Sequence, residues 1–141
     1  MNYIISEMKI DMYDELISFW KSIEGIFLED DDYDELKIYL KRNKDLNFVI
    51  LIDNQIIGTI KCGHDGRRGY LHHLAVKKEY RGKGLANELV EKCLMSLKKQ
   101  GIKKCNTFVL DSNPDGLRYW KQNNWAELIY DYKTLQRSTE L

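Results

Sequence analysis

Leu74-Ala75-Val76-Lys77-Lys78-Glu79-Tyr80-Arg81-Gly82-Lys83-Gly84-Leu85-Ala86-Asn87 joins an apolar strand to the start of a long helix. Four basic residues lie between Lys77 and Lys83, and helical periodicity begins at Leu85. Gly82 and Gly84 let backbone amides turn toward a ligand with no Cβ in the way. The free N–H groups and partial positive charge of the helix start add to Arg81 and Lys83, a combination that suits a pyrophosphate. The same residues also read as a mobile basic turn. Two other phosphate motifs are excluded. A P-loop needs GxxxxGK followed by Ser or Thr, and no such string occurs. The GxGxxG dinucleotide fingerprint fails at its third glycine, where Asn87 stands, and the preceding strand belongs to an antiparallel meander.

Downstream of this stretch, Ala86, Val90, Cys93/Leu94 and Leu97 trace one helix face, broadened by Leu85 and Leu89. Glu88 and Lys92 form an i,i+4 pair, Lys98 and Lys99 complement the dipole, and Gly101 is the expected C′ residue. A strand over Lys104–Leu110 and a short helix opened by Asn113-Pro114 follow. A last strand is expected from Trp125 to about Leu135. Upstream, Leu46–Ile52 and Gln55–Ile60 flank the turn Asp53-Asn54, and Asp65-Gly66 precedes a strand over Tyr70–Val76, so three strands form a meander. Before them come a strand over Asn2–Lys9, a helix capped by Asp11 and closing at Gly25, and a second helix whose Asp32 and Glu35 have capping-box spacing. The order is β-α-α-β-β-β-α-β-α-β, a mixed α/β or α+β layer.

The 141 residues fit a single domain, 1–141, and 43% hydrophobic residues suffice for one core. Twenty-two basic and 22 acidic residues cancel, which argues against a globally basic nucleic-acid binder. No run of ~18 apolar residues suggests a membrane span. The N-terminus lacks a basic flank followed by an apolar stretch, so no secretion signal is expected. Cys62, Cys93 and Cys105 are odd in number and form no CxxC, which favours reduced thiols in a cytoplasmic protein. His64, His72 and His73 are too few and wrongly spaced to make a metal site with them.

Arg81-Gly82-Lys83-Gly84-Leu85-Ala86 resembles the acyl-CoA-binding motif of the GNAT superfamily of N-acetyltransferases: Arg or Gln, two residues, Gly, one residue, then Gly or Ala. The element order and chain length resemble its bacterial single-domain members over nearly the whole chain. The resemblance implies that family's fold, a twisted and mostly antiparallel central sheet flanked by helices. It implies acetyl-CoA as cofactor, with backbone N–H groups from Gly82 to Ala86 on the pyrophosphate. Main-chain groups of Leu74, Ala75 and Val76 would pair with the pantetheine arm as an added strand. Asn113 matches the family's cofactor-contacting asparagine and equally reads as a helix N-cap.

Acetyl transfer to an amine needs a neutral amine, donors aimed at the developing oxyanion, and a proton for the departing thiolate. The resemblance implies direct transfer without an acyl-enzyme, and a backbone N–H, that of Val76, for the oxyanion. His72 occupies a strand position where some amine acetyltransferases carry a histidine in the proton path. It reads as a base or as a histidine satisfied by its neighbours. His72 and His73 are adjacent on a strand and so face opposite ways, with His72 on the side of Leu74 and Val76. The family's Tyr-x-x-x-Gly-aromatic string corresponds to Trp120-Lys121-Gln122-Asn123-Asn124-Trp125. Trp120 therefore stands in the tyrosine's place beside the cofactor, and an indole N–H cannot serve as the acid. Tyr119 is the candidate acid, with core packing as its other reading. Asn124 replaces the glycine and tolerates the left-handed turn.

Six acids lie within Glu29–Glu35. They read as a rim that steers a cationic amine, or as a solvated helix start. Trp20 and Phe27 read first as core. The expected partner is a small-molecule or peptide amine, with a homodimer left open. Nucleic acid and membrane are disfavoured. The other function class is a non-catalytic acyl-CoA-binding regulatory module.

Overall fold

Asp53 and Asn54 both adopt positive φ, 50° and 62°, the twist that matches a two-residue hairpin turn. They join β2 (Phe48–Ile52) to β3 (Gln55–His64). Asp65 makes the next turn, its Oδ1 accepting from the N–H groups of Arg67 and Arg68 at 2.8 Å each, and β4 (Arg68–Val76) follows. The protein is described by a computed structural model, which places residues 2–130 and 132–140. The chain divides into two units, Met1–Phe108 and Val109–Leu141.

The first unit holds one five-stranded sheet in the order β1-β2-β3-β4-β5, with β1 at Ile4–Glu7 and β5 at Lys104–Thr107. All pairs are antiparallel except β4–β5. The expected mixed α/β class, mostly antiparallel sheet and central meander are found. Helices α1 (Tyr13–Lys21) and α2 (Tyr33–Arg42) separate β1 from β2, and α3 (Leu85–Lys99) separates β4 from β5. Leu16, Phe19 and Trp20 of α1 and Leu36 of α2 share a core with Met8, Val49, Ile56 and Ala75. Burying side chains of this size is worth about 1.5–3 kcal/mol each. α3 buries Leu85, Leu89, Val90, Cys93 and Leu97 and packs on β3 and β4. At Gly69 the helix comes so close that an added Cβ would lie 2.5 Å from a Leu97 methyl.

Asp32 caps α2 as its spacing predicts, accepting from the Glu35 N–H at 2.8 Å. Asp11 is not a cap. It lies inside a 3₁₀ turn over Ile10–Met12, and α1 starts at Tyr13 with no side-chain cap. The acid that works at this end is Glu15, which accepts from the Ile56 N–H at 2.7 Å, next to a register shift between β2 and β3.

The second unit is built on α4 (Pro114–Gln122). Asn113 caps it by accepting from the Gly116 N–H at 2.9 Å, and Pro114 sits in its first turn. Asn124 closes the helix at φ 71°, as expected of an asparagine in a glycine's place. The strand expected over Trp125 to Leu135 does not form among the described residues, and residue 131 lies outside them. Leu128-Ile129-Tyr130 breaks the two-residue alternation, Ile129 and Leu135 are 88% and 91% exposed, and no neighbouring strand within this unit offers a ladder.

Candidate active site

β4 and β5 pair only from Arg68↔Lys104 to Leu71↔Thr107. Beyond Leu71 they part, and among the described residues no strand covers the β4 edge from His72 to Val76. Phe108 marks the split. It is 69% exposed and stacks on Tyr70 and His72, with centroids 6.0 and 6.2 Å away.

A bulge coincides with the split. The β3–β4 register runs Thr59↔Ala75 and then Lys61↔His72, so β4 carries one extra residue. His73 takes φ 51°, a left-handed conformation that side-chain-bearing residues rarely adopt. The bulge overturns the expectation that His72 and His73 face opposite ways. Lys61 pairs directly with His72 and so shares its face. Lys61 and His73 both reach the same carboxylate, Asp31.

Asp31 is 4% exposed. Its Oδ1 accepts from Lys61 Nζ and its Oδ2 meets His73 Nε2, both at 2.6 Å. Burial favours the protonated acid, but the hydrogen bonds from His73 and Lys61, with the Lys61 charge, outweigh it and hold the carboxyl below its usual range. Lys61 Nζ also sits 4.5 Å from the centre of the Tyr39 ring. Trp20 Nε1–H donates to Thr59 Oγ1 at 2.9 Å, whose hydroxyl donates to the His73 carbonyl at 2.8 Å, and the His73 ring packs edge-on against Trp20 at 4.8 Å. Trp20 is thus core, as expected, whereas Phe27 is 63% exposed. Desolvation, reinforced by the nearby Lys61 charge, lowers the His72 pKa.

The acidic segment therefore serves several purposes. Asp31 turns inward, Asp32 caps α2, and Glu29, Asp30, Asp34 and Glu35 are exposed. Sequence reading missed Asp31, Lys61, Thr59 and His73 as a group. The available signals were a lysine between Ile60 and Cys62, and two histidines that interrupt an apolar alternation.

From Val76 the chain enters the glycine loop. Arg81 Nε donates to the Val76 carbonyl at 2.8 Å, tying the loop to the end of β4. Gly82 and Gly84 have φ 78° and 80°, and nothing lies within 4 Å of a Cβ at either, so the loop's mouth is open. Gly84 is the N-cap of α3 and no side chain among the described residues caps it, which leaves the Leu85 and Ala86 N–H groups available. Lys83 is exposed, Leu85 buried and Ala86 half-buried. A diphosphate with an extended amide arm fits this arrangement: uncapped amides and basic side chains at one end, a free strand edge at the other.

A model of the Acetyltransferase (GNAT) family matches residues 10–125. The chain belongs to this family. An acetyltransferase of Sodalis glossinidius is 30% identical over 103 residues, 73% of this chain and 72% of that protein. The fold is shared with the PaiA N-acetyltransferase of Thermoplasma acidophilum solved with coenzyme A, at TM-score 0.75 and 22% identity over 87% of this chain and 89% of that one. It is also shared with the ribosomal-protein-alanine N-acetyltransferase of Brucella melitensis, at TM-score 0.74 and 16% identity over 97% and 100%.

The other site residues read from the GNAT motifs lie in the second unit. Asn113 is engaged as a cap. Trp120 is 9% exposed, packed edge-on against Tyr119 at 5.2 Å and Trp125 at 4.8 Å. Tyr119 is half-buried beside it. The three cysteines are free thiols. Burial pushes Cys105 up to about 12, and Cys93 is raised by a hydrogen bond to Cys62 and by burial, so neither has thiolate character.

Proposed function

We propose that this GNAT protein transfers the acetyl group of acetyl-CoA directly to a primary amine, through a single N-acetyltransferase domain. The observation that carries the reading is the continuity of one surface. The unpaired β4 edge from His72 to Val76 runs into a glycine loop at the uncapped start of α3. Amides of Gly82, Lys83, Gly84, Leu85 and Ala86, with the Arg81 and Lys83 charges, would hold the pyrophosphate. Leu74, Ala75 and Val76 would pair with the pantetheine amides as a sheet does with an added strand. When bound, acetyl-CoA supplies the activated acetyl group. The Val76 N–H supports negative charge on the acetyl oxygen, and the histidine pair of the bulge provides the base. By their motif positions alone, Asn113 and Trp120 are the candidates for cofactor contact in the second unit and Tyr119 is the candidate acid.

The acceptor class is a small-molecule amine, a peptide N-terminus or a lysine side chain. Trp120 in the place of the family's tyrosine supports a second reading, a module that binds acyl-CoA without turning it over. Calorimetric titration with acetyl-CoA, followed by acetylation assays on an aminoglycoside, an alanine-terminated peptide and a lysine peptide, tests both. Binding with amine-dependent release of CoA is the expected result. Binding without turnover transfers the assignment to the module, and absence of binding removes both.

A further inference from the structure

We infer that His73, oriented by Asp31, is the residue that takes the proton from the acceptor amine; the inference rests on the transfer reaction proposed above. Asp31 is ionised and can only accept hydrogen bonds, so the neutral form of the His73 ring carries its hydrogen on Nε2. That leaves the Nδ1 lone pair, which meets no protein partner among the described residues. Lys61 occupies the other carboxylate oxygen, so Asp31 cannot rotate away from the ring.

The rest of His73 is equally fixed. Its carbonyl is held by Thr59 Oγ1, its ring by the edge of Trp20, and its backbone in a left-handed bend. Strain of this kind persists only where the surroundings enforce it. His73 also stands where β4 parts from β5, three residues before Val76. His72 lacks this support. Its ring stacks on exposed Phe108, no hydrogen bond among the described residues fixes its tautomer, and desolvation makes it a weaker base.

In the step assigned here an N–H bond of the acceptor ammonium breaks and an Nδ1–H bond forms. The lone pair stays on the amine, and the positive charge moves to the imidazole. The groups facing that charge are Asp31 from the segment before α2, Lys61 from β3 and His72 from β4. The Trp20 and Tyr39 rings line the same cluster from α1 and α2. Asp31 stabilises the imidazolium, and Lys61 keeps the carboxylate ionised.

The test joins a spectroscopic and a kinetic measurement on the full chain. With ¹⁵N-labelled histidine, the His73 signals, assigned by their loss in His73→Gln, should show the Nε2–H tautomer. Asp31→Asn should mix the two tautomers. With the most active amine of the three-acceptor panel, His73→Ala should lose about 10²-fold in kcat, the usual scale of a general base. Acetyl-CoA affinity should stay within about twofold, and added imidazole should restore part of the rate. An Nδ1–H tautomer in the wild-type chain overturns the assignment. So does a loss in His72→Gln that equals or exceeds that of His73→Gln, or a His73→Ala rate that imidazole leaves unchanged with folding intact. The two failures are separable: no acetyl-CoA binding by the wild type breaks the functional reading, whereas full binding with the wrong tautomer breaks only the role of His73.

Discussion

The loop at Arg81–Ala86 and the bulge at His72–Leu74 are near neighbours in the chain, built by opposite means. The loop is made of backbone. Two left-handed glycines, a helix start with no side-chain cap among the described residues and one Arg81 side chain bonded to Val76 define it, and nothing lies within 4 Å of a Cβ at either glycine. The bulge is made of side chains drawn from α1, the α1–α2 segment and β3, converging on His73 from residues up to 53 positions away. Substitutions in the loop should therefore change binding, with a stability cost limited to the strain of a side chain at positive φ. Substitutions around the bulge should change stability and proton transfer while leaving cofactor affinity alone.

The largest effect expected is at Gly84→Glu. The side chain must adopt φ near 80°, and its carboxylate opposes the pyrophosphate. Acetyl-CoA affinity should fall by at least about 10²-fold in calorimetry, while the far-UV spectrum stays native, since nothing packs where the new side chain would go. Undiminished affinity would remove the loop from the cofactor site.

The bulge is probed next. Asp31→Ala leaves Lys61 buried without its counter-charge and should cost about 3–5 kcal/mol in urea unfolding. Replacing both ends together, Asp31→Leu with Lys61→Met, should recover most of that loss. Equal destabilisation by the single and double variants would show that the ion pair is not what matters there.

The same carboxylate gives a pH signature. Its folded pKa lies below the ordinary 3.8, so the stability it contributes is complete above that value. It should fade as pH drops through 3.8 toward the folded pKa. Wild type should therefore lose more of its urea midpoint over this acid range than the Asp31→Leu, Lys61→Met variant.

The smallest effect lies outside both regions and serves as the control. Asp32→Ala removes the α2 cap and should cost about 1 kcal/mol, with no change in acetyl-CoA affinity. A cap variant that alters the tautomer of His73 would mean that Asp31 depends on its neighbour's geometry more than the hydrogen bonds indicate.

The same contrast explains what could be read in advance. The loop was legible because its chemistry is local. Arg81-Gly82-Lys83-Gly84 carries both the charge and the conformational freedom in one short string, and the apolar stripe of α3 follows directly. The meander was legible for a similar reason: Asp53-Asn54 and Asp65-Gly66 are turn residues between β-rich runs. Asp31 looked like one acid among six, because nothing in its immediate neighbours shows that it turns inward to meet Lys61 and His73. The left-handed bend at His73 depends on Thr59 and Trp20, which no local pattern connects to it. The expected strand after Trp125 shows the converse: β-prone residues that break the two-residue alternation and stay exposed form no strand among the described residues.

The central claim is that one cofactor lies along the β4 edge and ends in the glycine loop. Titration of coenzyme A into the ¹⁵N-labelled chain tests it most directly, with backbone amide shifts as the readout. The amides of Gly82–Ala86 and His72–Val76 should move together on one binding curve, while those of β1 and β2 stay in place. Shifts confined to other elements, or none at millimolar coenzyme A, would contradict it.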